Sequence, residues 1–441
     1  MAETPRRGLA RDSMGVFAAQ MVVTVIGMGT GILTARVLGP RDRGLLQLLI
    51  LLPTTLSNFV KLGVPQANIY FIRRKGASPS AVVSNSLWLA IVLGGLCAGV
   101  CWLGRDWLLT KIIKEAPPIT LPPVLLLLPF VLLQGYLQAV VAAQERFREY
   151  NFQNLAPTVL GFVGMMVVLL WFKLGLIGAV VTQTVIVAGV TVWLAIRVNR
   201  TAPVRLTWDG ELGREMLGFG GKSYLQTLAS TLHFRIDQYM IAYLLDPAHV
   251  GIYAVAVNLT NLLLKIPDAT GTVLYPRLAA AGERDAHAAT SLVCRQTLFI
   301  TGAAGLCYAI FGPFAIRLLY GARFAGAVKP MLLMLPGIVM IALYLILTRN
   351  FTSRNRQEVN IVAALAALVV NVGANWVLIP RYGISGAAVS TAISYSAAAL
   401  FLLFVFVRES GHSVGETVLV DRADVGKLFR VAVRAARPAA E

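Results

Sequence analysis

Long apolar runs separated by short polar clusters dominate the hydropathy pattern of this chain. Most runs reach the roughly 20 residues that an α-helix needs to cross the hydrocarbon core of a bilayer. Each run ends at charged residues, proline or glycine. The pattern predicts about twelve transmembrane helices, at residues 13–38, 43–72, 80–104, 120–143, 150–172, 176–197, 215–245, 248–276, 288–312, 329–349, 358–379 and 384–407.

The composition agrees with this interpretation. Of the 441 residues, 57% are hydrophobic and 14% are charged, and the mean hydropathy is +0.71. A soluble domain typically has about 25% charged residues, so an ordinary soluble enzyme is excluded. The four cysteines lie in apolar runs without metal-ligand spacing, so we expect them to be packing residues. No metal and no cofactor is predicted.

The basic residues are distributed unevenly between the two membrane sides. The chain has 39 Lys and Arg against 21 Asp and Glu, a net charge of +18. With a cytoplasmic N-terminus, inner segments hold 25 of the basic residues and outer segments hold 11. This bias predicts that both termini are cytoplasmic. Because the cations form short clusters between apolar runs, nucleic-acid binding is not expected.

Residues 408–441 form a basic cytoplasmic tail with two open interpretations. Lys427, Arg430, Arg434 and Arg437 recur at helical spacing and would share one face. The tail is therefore either an interfacial helix on anionic lipid or a solvated charged segment.

An internal repeat divides the apolar part of the chain. Residues 34–44 read TARVLGPRDRG and residues 241–251 read IAYLLDPAHVG, so that Pro40 matches Pro247 and Gly44 matches Gly251 at an offset of 207. Glycines at 175 and 383 match at an offset of 208. A period of six helices is even, which predicts parallel repeats: an N-terminal lobe at 1–200 and a C-terminal lobe at 201–407.

Polar residues follow one helical face in two repeat-equivalent runs. In the second run this face consists of Thr54, Asn58, Lys61, Pro65 and Asn68. Adding 207 to each number gives the face of the eighth run, which consists of Asn261, Lys265, Asp268, Thr272 and Tyr275. The spacings of 3 and 4 place each set on one side of a helix. The repeat would aim both faces at the space between the lobes.

The seventh run adds a third polar face and a further cation. Its face consists of Ser223, Gln226, Ser230, His233 and Asp237, and Arg235 lies off that face. A charge at the bilayer centre costs at least about 2.5–3.5 kcal/mol, so the presence of these charged residues within predicted spans requires an explanation. One interpretation is a water-filled substrate cavity; the other is mutual neutralisation of Lys265 or Lys61 by Asp268, and of His233 by Asp237. The net charge of +1 suits an anionic head group.

Several of these segments resemble one known family. They are ARVLGPRDRG at 35–44, GVPQANIYF at 63–71, FRIDQYMIAYLL at 234–245, VGIYAVA at 250–256 and LYPRLAA at 274–280. In order and spacing the chain resembles bacterial polysaccharide flippases of the multidrug/oligosaccharidyl-lipid/polysaccharide flippase superfamily. The resemblance covers nearly the whole chain except the tail.

The resemblance implies an all-α polytopic fold with two six-helix lobes forming a V around a central cavity. It implies alternating-access transfer of undecaprenyl-pyrophosphate-linked oligosaccharide to the outer leaflet of the bacterial cytoplasmic membrane. Lys61, Arg235 and Lys265 would receive the pyrophosphate, with Asn58, Asn68, Asn261 and Gln226 as further cavity residues. His233, Asp237 and Asp268 are candidates for ion coupling or gating. Expected partners are the substrate, membrane lipids, and a polymerase with glycosyltransferases around a monomer.

Two other function classes are compatible with a chain of many apolar spans. A drug/cation antiporter on the same fold would use Asp237 or Asp268 to exchange protons or sodium for substrate. A membrane glycosyltransferase or polymerase would need a catalytic base or metal site, usually on sizeable outer loops. The predicted outer loops are short, and phosphate-loop and His-Glu metal motifs are absent from the sequence. The sequence therefore predicts a transporter and not an enzyme.

Overall fold

The computed structural model describes the backbone of residues 4–205, 207–219 and 221–420. It describes the side chains of the same residues except 4–19, 221–223, 226, 273, 277 and 279. All regular secondary structure in these ranges is helical. Ten helical stretches are long and apolar enough to cross a membrane. The predicted all-α, multi-pass membrane fold is confirmed.

One compact unit comprises residues 1–255 and 318–324. Its helices are α1 (Thr4–Val60), α2 (Val64–Arg73), α3 (Pro79–Leu103), α4 (Arg105–Trp107), α5 (Leu121–Ala143), α6 (Phe147–Met166), α7 (Gly175–Asn199), α8 (Gly210–Phe219), α9 (Gly221–His233), α10 (Ile236–Leu244) and the greater part of α11 (Pro247–Leu263). Short π-helical turns follow α4 and α6, at Leu108–Ile112 and Val167–Trp171. Its core includes fully buried Leu132, Tyr136 and Val140 of α5.

The second compact unit comprises residues 256–317 and, in the described part of the chain, 325–420. Its helices are α12 (Lys265–Ala280), most of α13 (Glu283–Tyr320), α14 (Val328–Ser353), α15 (Gln357–Tyr382), α16 (Ile384–Ser410) and α17 (Val414–Val418). Helices α14 and α16 pack closely, since a Cβ on Gly337 would lie 2.4 Å from the Cα of Ala392. The tail beyond residue 420 lies outside the described residues. The predicted division into lobes at residue 200 stays a prediction.

The ten stretches account for eleven of the twelve predicted spans. The first two spans are merged in one stretch, Gln20–Val60, which is bent at Gly39. Gly39 has a φ of 75°, a left-handed value that glycine adopts without steric cost. The seventh predicted span, 215–245, is divided among α8, α9 and α10, each too short to count alone. The remaining nine spans each match one stretch.

Left-handed backbone conformations recur at positions that the sequence repeat makes equivalent. Gly175, the first residue of α7, and Gly383, the residue before α16, match at an offset of 208 and have φ of 58° and 60°. Glu145 and Asn355 have φ of 56° and 59° in the turns before α6 and α15. These shared left-handed turns support the parallel repeat predicted from the motifs.

The matched proline–glycine motifs are in mutual contact within the first unit. A Cβ on Gly44 would lie 1.8 Å from the carbonyl oxygen of Pro247, and a Cβ on Gly251 would lie 2.0 Å from that of Pro40. Both distances are far below any real contact, so neither position has room for a side chain. The two helix starts therefore meet through their backbones, in a reciprocal contact between repeat-equivalent residues.

Candidate functional site

The second predicted span contains a helix break at its lysine. Helix α1 ends at Val60 and α2 begins at Val64, with Leu62 and Gly63 in left-handed conformations. Pro65, in the first turn of α2, lacks the N–H that a continuous helix would need there. The prediction of one continuous helical face from Thr54 to Asn68 is therefore wrong, because this three-residue turn interrupts it.

Two tyrosines bind carbonyl groups at this break. The hydroxyl of Tyr224 on α9 donates to the carbonyl oxygen of Phe59. The hydroxyl of Tyr136 on α5 lies 3.4 Å from the carbonyl oxygen of Lys61 and donates to it. Exposed backbone carbonyls are costly in a bilayer, and irregular backbone is tolerated there where protein or a cavity satisfies it. The tyrosines thus stabilise an opened turn within an apolar segment.

The side chain of Lys61 is held between an amide and a glycine. Its Nζ donates to Oδ1 of Asn58 at 3.0 Å, one helical turn earlier. It passes over Gly135 of α5, where a Cβ would lie 3.2 Å from the Lys61 Cε. The predicted cavity residues Asn58 and Lys61 are therefore brought together, and the ammonium group bonds to a neutral partner.

A cavity of about 230 Å³ opens at this ammonium group. It is lined by Asn58, Lys61, Gly63, Pro65, Gln66, Gly135, Gln138, Tyr224 and Thr227. Lys61 is the only charged residue among these lining residues. Amides and hydroxyls bind neutral hydroxyl-rich groups, and ammonium groups bind phosphate oxygens. The lining therefore suits a ligand that is anionic at one point and polar elsewhere.

Asn68 is placed away from this cavity. It is fully buried, and its Nδ2 donates to Oγ of Ser86 at 2.9 Å and to the carbonyl oxygen of Tyr136 at 3.1 Å. These bonds join α2 to α3 and α5. The contacts of Asn68 in the structure are those of a packing residue within the helix bundle.

The seventh predicted span has a second break, at its own cation. Residues Phe234 and Arg235 separate α9 from α10, and half-buried Arg235 is the N-cap of α10. Asp237, in the first turn of α10, accepts from the Tyr253 hydroxyl at 2.6 Å and from the Gln238 N–H at 2.7 Å. His233 is buried at the end of α9. The side chain of the predicted cavity residue Gln226 lies outside the described residues.

The eighth predicted span is broken at Leu264, beside a third cation. Lys265 is the first residue of α12 and Asn261 lies one turn earlier, and both are half-buried. Asp268 forms an ion pair with Arg349 of α14, with 3.3 Å between Oδ1 and the guanidinium nitrogen. The alternative in which Asp268 neutralises Lys265 is not the arrangement in the structure, where Asp268 pairs with the Arg349 guanidinium. Arg349 also packs over Gly271, 3.3 Å from the position of a Cβ there.

Several site residues were absent from the sequence prediction. Gln66, Gln138 and Tyr224 line the cavity, and Arg349 pairs with Asp268. Gln138 lies near the end of a strongly apolar run, and Arg349 ends another, so both resemble ordinary polar residues at the end of a span in a hydropathy pattern. The usable signal was the pair Gln134 and Gln138, spaced by four in an otherwise apolar helix.

Comparison with known proteins gives one family and one curated relative. The sequence model of the family described as "Polysaccharide biosynthesis protein" matches residues 9–281. The "Probable low-salt glycan biosynthesis flippase Agl15" of Haloferax volcanii is 20% identical over 217 residues, which are 48% of this chain and 46% of that protein. The chain thus spans about half the length of the curated relative it matches.

Solved structures with similar folds include membrane transport proteins. "Lipid II flippase MurJ, inward closed conformation" has a TM-score of 0.78 at 13% identity, over 96% of this chain and 93% of that one. An inward-facing multidrug resistance MATE family transporter of the MOP superfamily has a TM-score of 0.72 at 15% identity, over 90% and 98%. At these identities the likeness concerns the fold.

Proposed function

Because the chain belongs to the family of polysaccharide biosynthesis proteins, we propose that it is a flippase for a lipid-linked oligosaccharide. The resemblance to polysaccharide flippases of the multidrug/oligosaccharidyl-lipid/polysaccharide flippase superfamily, drawn above from sequence motifs, is confirmed. The proposed reaction moves undecaprenyl-pyrophosphate-linked oligosaccharide from the inner to the outer leaflet by alternating access. It supplies surface polysaccharide synthesis and involves no catalysis.

One observation carries this proposal: the cavity at Lys61 combines a single cation with neutral hydrogen-bonding groups. Asn58, Gln66 and Gln138 offer amides, and Tyr224 and Thr227 offer hydroxyls. A pyrophosphate would bind the ammonium group through charge-assisted hydrogen bonds. Sugar hydroxyls would bind the amides, which both donate and accept. Among the lining residues that the structure describes, none is a carboxylate that would repel an anion.

The other predicted residues keep supporting roles in the proposal. Arg235 and Lys265, each beside a helix break, would receive the pyrophosphate at other stages of transfer, with Asn261, Asn68 and Gln226 as polar neighbours. His233 and Asp237, two buried ionisable groups on either side of the break between α9 and α10, would carry a coupling proton. Asp268, paired with Arg349, is proposed as a gating group.

We place the protein in the bacterial cytoplasmic membrane with both termini inside. The excess of basic residues in the predicted inner segments supports this orientation. Its proposed partners are the lipid-linked substrate, the surrounding lipids, and a polymerase with glycosyltransferases that act before and after transfer. It would act as a monomer.

A second candidate function, a drug or cation antiporter, is favoured by one specific observation. Asp237 is 4% exposed and held by the Tyr253 hydroxyl, as a proton- or sodium-exchanging carboxylate would be. The MATE-like fold supports the same possibility. The two functions differ in the charge of the substrate, so they respond differently to removal of Lys61.

Complementation separates the two functions. In a strain with its chromosomal copy deleted, the protein should restore surface polysaccharide, and Lys61→Ala should reduce it about tenfold or more, as expected for a lost charged hydrogen bond. Lys61→Arg should retain most of it, and Lys173→Ala, at an exposed cation outside the cavity lining, should behave as wild type. Unchanged polysaccharide in Lys61→Ala, together with altered drug susceptibility on deletion, would favour the antiporter instead.

A further inference from the structure

A second cavity, in the second unit, has features of a lipid site. It has a volume of about 420 Å³ and is lined by Lys329, Leu333, Leu378, Arg381, Tyr382, Ser385, Gly386 and Val389. These residues belong to the start of α14, the end of α15 and the start of α16. None of them belongs to the cavity at Lys61, so this second cavity is a separate site.

The charges of this cavity are of one sign and lack protein partners. Lys329 and Arg381 are exposed, and no acidic side chain is among the lining residues. In the described part of the chain, neither cation forms an ion pair. Two unneutralised cations at one cavity attract a phosphate group, to which guanidinium offers a bidentate fork and ammonium a point charge.

The rest of the lining is apolar and lies at the ends of membrane-spanning helices. Leu333, Leu378 and Val389 form the apolar wall, and Tyr382 is 64% exposed at the rim. Tyrosine is enriched at the level of lipid head groups. A cavity with cations at the helix ends and an apolar wall along the spans fits a molecule that has an anionic head and an acyl chain.

The internal repeat shows that this cation pair is specific to one half of the chain. At the offset of 208, Arg381 corresponds to Lys173 and Pro330 to Pro122, but Lys329 corresponds to Leu121. The first half therefore has one of the two cations and an apolar residue in place of the other. Close packing shapes the cavity in the second half, since a Cβ on Gly386 would lie 2.1 Å from the carbonyl oxygen of Leu378.

We propose that this cavity binds the phosphodiester head group of an anionic glycerophospholipid between α14, α15 and α16. Guanidinium and ammonium groups bind phosphate oxygens through charge-assisted hydrogen bonds. The site is independent of the proposed flippase activity, because it uses none of the residues assigned to it. Bound lipid would join the ends of three helices in one leaflet.

Lipid retention by the full-length protein tests this assignment. The protein is reconstituted in nanodiscs with equal phosphatidylglycerol and phosphatidylcholine, and retained lipids are measured by native mass spectrometry. Wild type should retain phosphatidylglycerol preferentially. Each cation should raise the ratio of retained phosphatidylglycerol to phosphatidylcholine about fivefold. In the double variant Lys329→Gln/Arg381→Gln this ratio should therefore be about thirtyfold lower than in wild type. Lys329→Arg/Arg381→Lys and the repeat-matched Lys173→Gln should keep it.

Three results would overturn the assignment. They are equal retention of both lipids by wild type, an unchanged preference in a monodisperse double variant, and displacement of lipid by millimolar inorganic phosphate. The last would identify a site for a free anion. Because transport is not the readout, failure here would leave the flippase proposal standing, and failure of the flippase proposal would leave this one standing.

Discussion

At the residue scale, Lys61 shows how the fold accommodates a basic side chain within a membrane-spanning segment. A lysine near the bilayer centre costs about 2.5–3.5 kcal/mol on insertion scales. The fold offsets part of this with an amide oxygen at 3.0 Å, and it leaves space along the side chain by placing Gly135 opposite. The Lys61 side chain thereby has a hydrogen-bond partner for its Nζ and lines a cavity.

Transport should be sensitive to the addition of a single methyl group at Gly135. A Cβ at 3.2 Å from the Lys61 Cε requires this side chain to move, so Gly135→Ala should lower transport several-fold with little loss of thermal stability. Gly161→Ala is the matched control, because nothing lies within 4 Å of its Cβ position. Equal transport by Gly135→Ala and wild type would mean that Lys61 need not occupy this position.

At this scale the sequence predicted part of the site. Asn58 and Lys61, three residues apart, could be paired from spacing alone. Gly135, Tyr136 and Tyr224 could not, because each is distant in sequence and acts through the carbonyls or the open space of a helix break. Asn68 was assigned to the cavity because it shares the spacing, but the break rotates α2 so that this amide bonds to Ser86 instead.

At the scale of the helices, the reciprocal contact of Gly44 and Gly251 is the most restrictive feature. A Cβ at Gly44 or Gly251 would lie 1.8 or 2.0 Å from a backbone carbonyl oxygen, so no change of side-chain rotamer would remove the clash. Gly44→Ala should therefore destabilise the protein by about 1–3 kcal/mol, the usual cost of overpacking. Thermal unfolding in detergent would measure this. Gly95→Ala, with open space around its Cβ position, should leave the midpoint unchanged, and an unchanged midpoint in both variants would contradict the contact.

The short helix α17 should depend on pH. Ser413 and Glu416 form a capping box, in which the backbone N–H and hydroxyl of Ser413 hold the pKa of Glu416 below its ordinary value. Buried Thr417 and Ser291 of α13 share a hydrogen bond of 2.9 Å. A lowered carboxyl pKa stabilises the folded state above the unfolded pKa of about 4.3, and this is lost as the pH falls through the folded pKa.

Hydrogen exchange at residues 413–418 would check this dependence. Protection should be constant near neutral pH and should fall below about pH 4. In Glu416→Gln, protection should be lower and independent of pH over the same range. Protection that falls equally in both proteins would show that another group controls the docking of α17.

Hydropathy predicted where helices exist but not where they break. The spans at α3, α5, α6, α7 and α14 to α16 were located within a few residues, because each is a long apolar run with clear ends. The span at α13 was predicted too short, since that helix continues to Tyr320. The breaks at Lys61, Arg235 and Leu264 were missed, since residue spacing assumes a continuous helix. The more polar composition of these three runs was the visible sign of their irregularity.

For the whole molecule, the repeat was the strongest prediction from sequence. A nearly constant offset across six helices predicted parallel halves, and recurring left-handed turns at Gly175 and Gly383 agree with it. Family membership was also predictable, because it depends on the order and spacing of motifs. The sugar was not, since recognition of sugar hydroxyls uses scattered polar groups such as Gln66 and Gln138 that have no fixed spacing.

Proton coupling through His233 and Asp237 is an expectation at the same scale. If these groups carry a proton, transport in vesicles should fall when the pH gradient is collapsed. His233→Ala and Asp237→Asn should remove this dependence. Transport that is insensitive to the gradient in wild type would exclude proton coupling and favour the membrane potential or sodium.

Transfer of a lipid-linked oligosaccharide by the purified protein tests the central claim most directly. Proteoliposomes would contain a fluorescent pyrophosphate-linked oligosaccharide, and reduction of the dye from outside would count molecules crossing between leaflets. We expect rapid transfer by wild type, retained transfer by Lys61→Arg, and loss in Lys61→Ala. Transfer no faster than in protein-free vesicles, or equally fast with Lys61→Ala, would contradict a flippase that binds its substrate at Lys61.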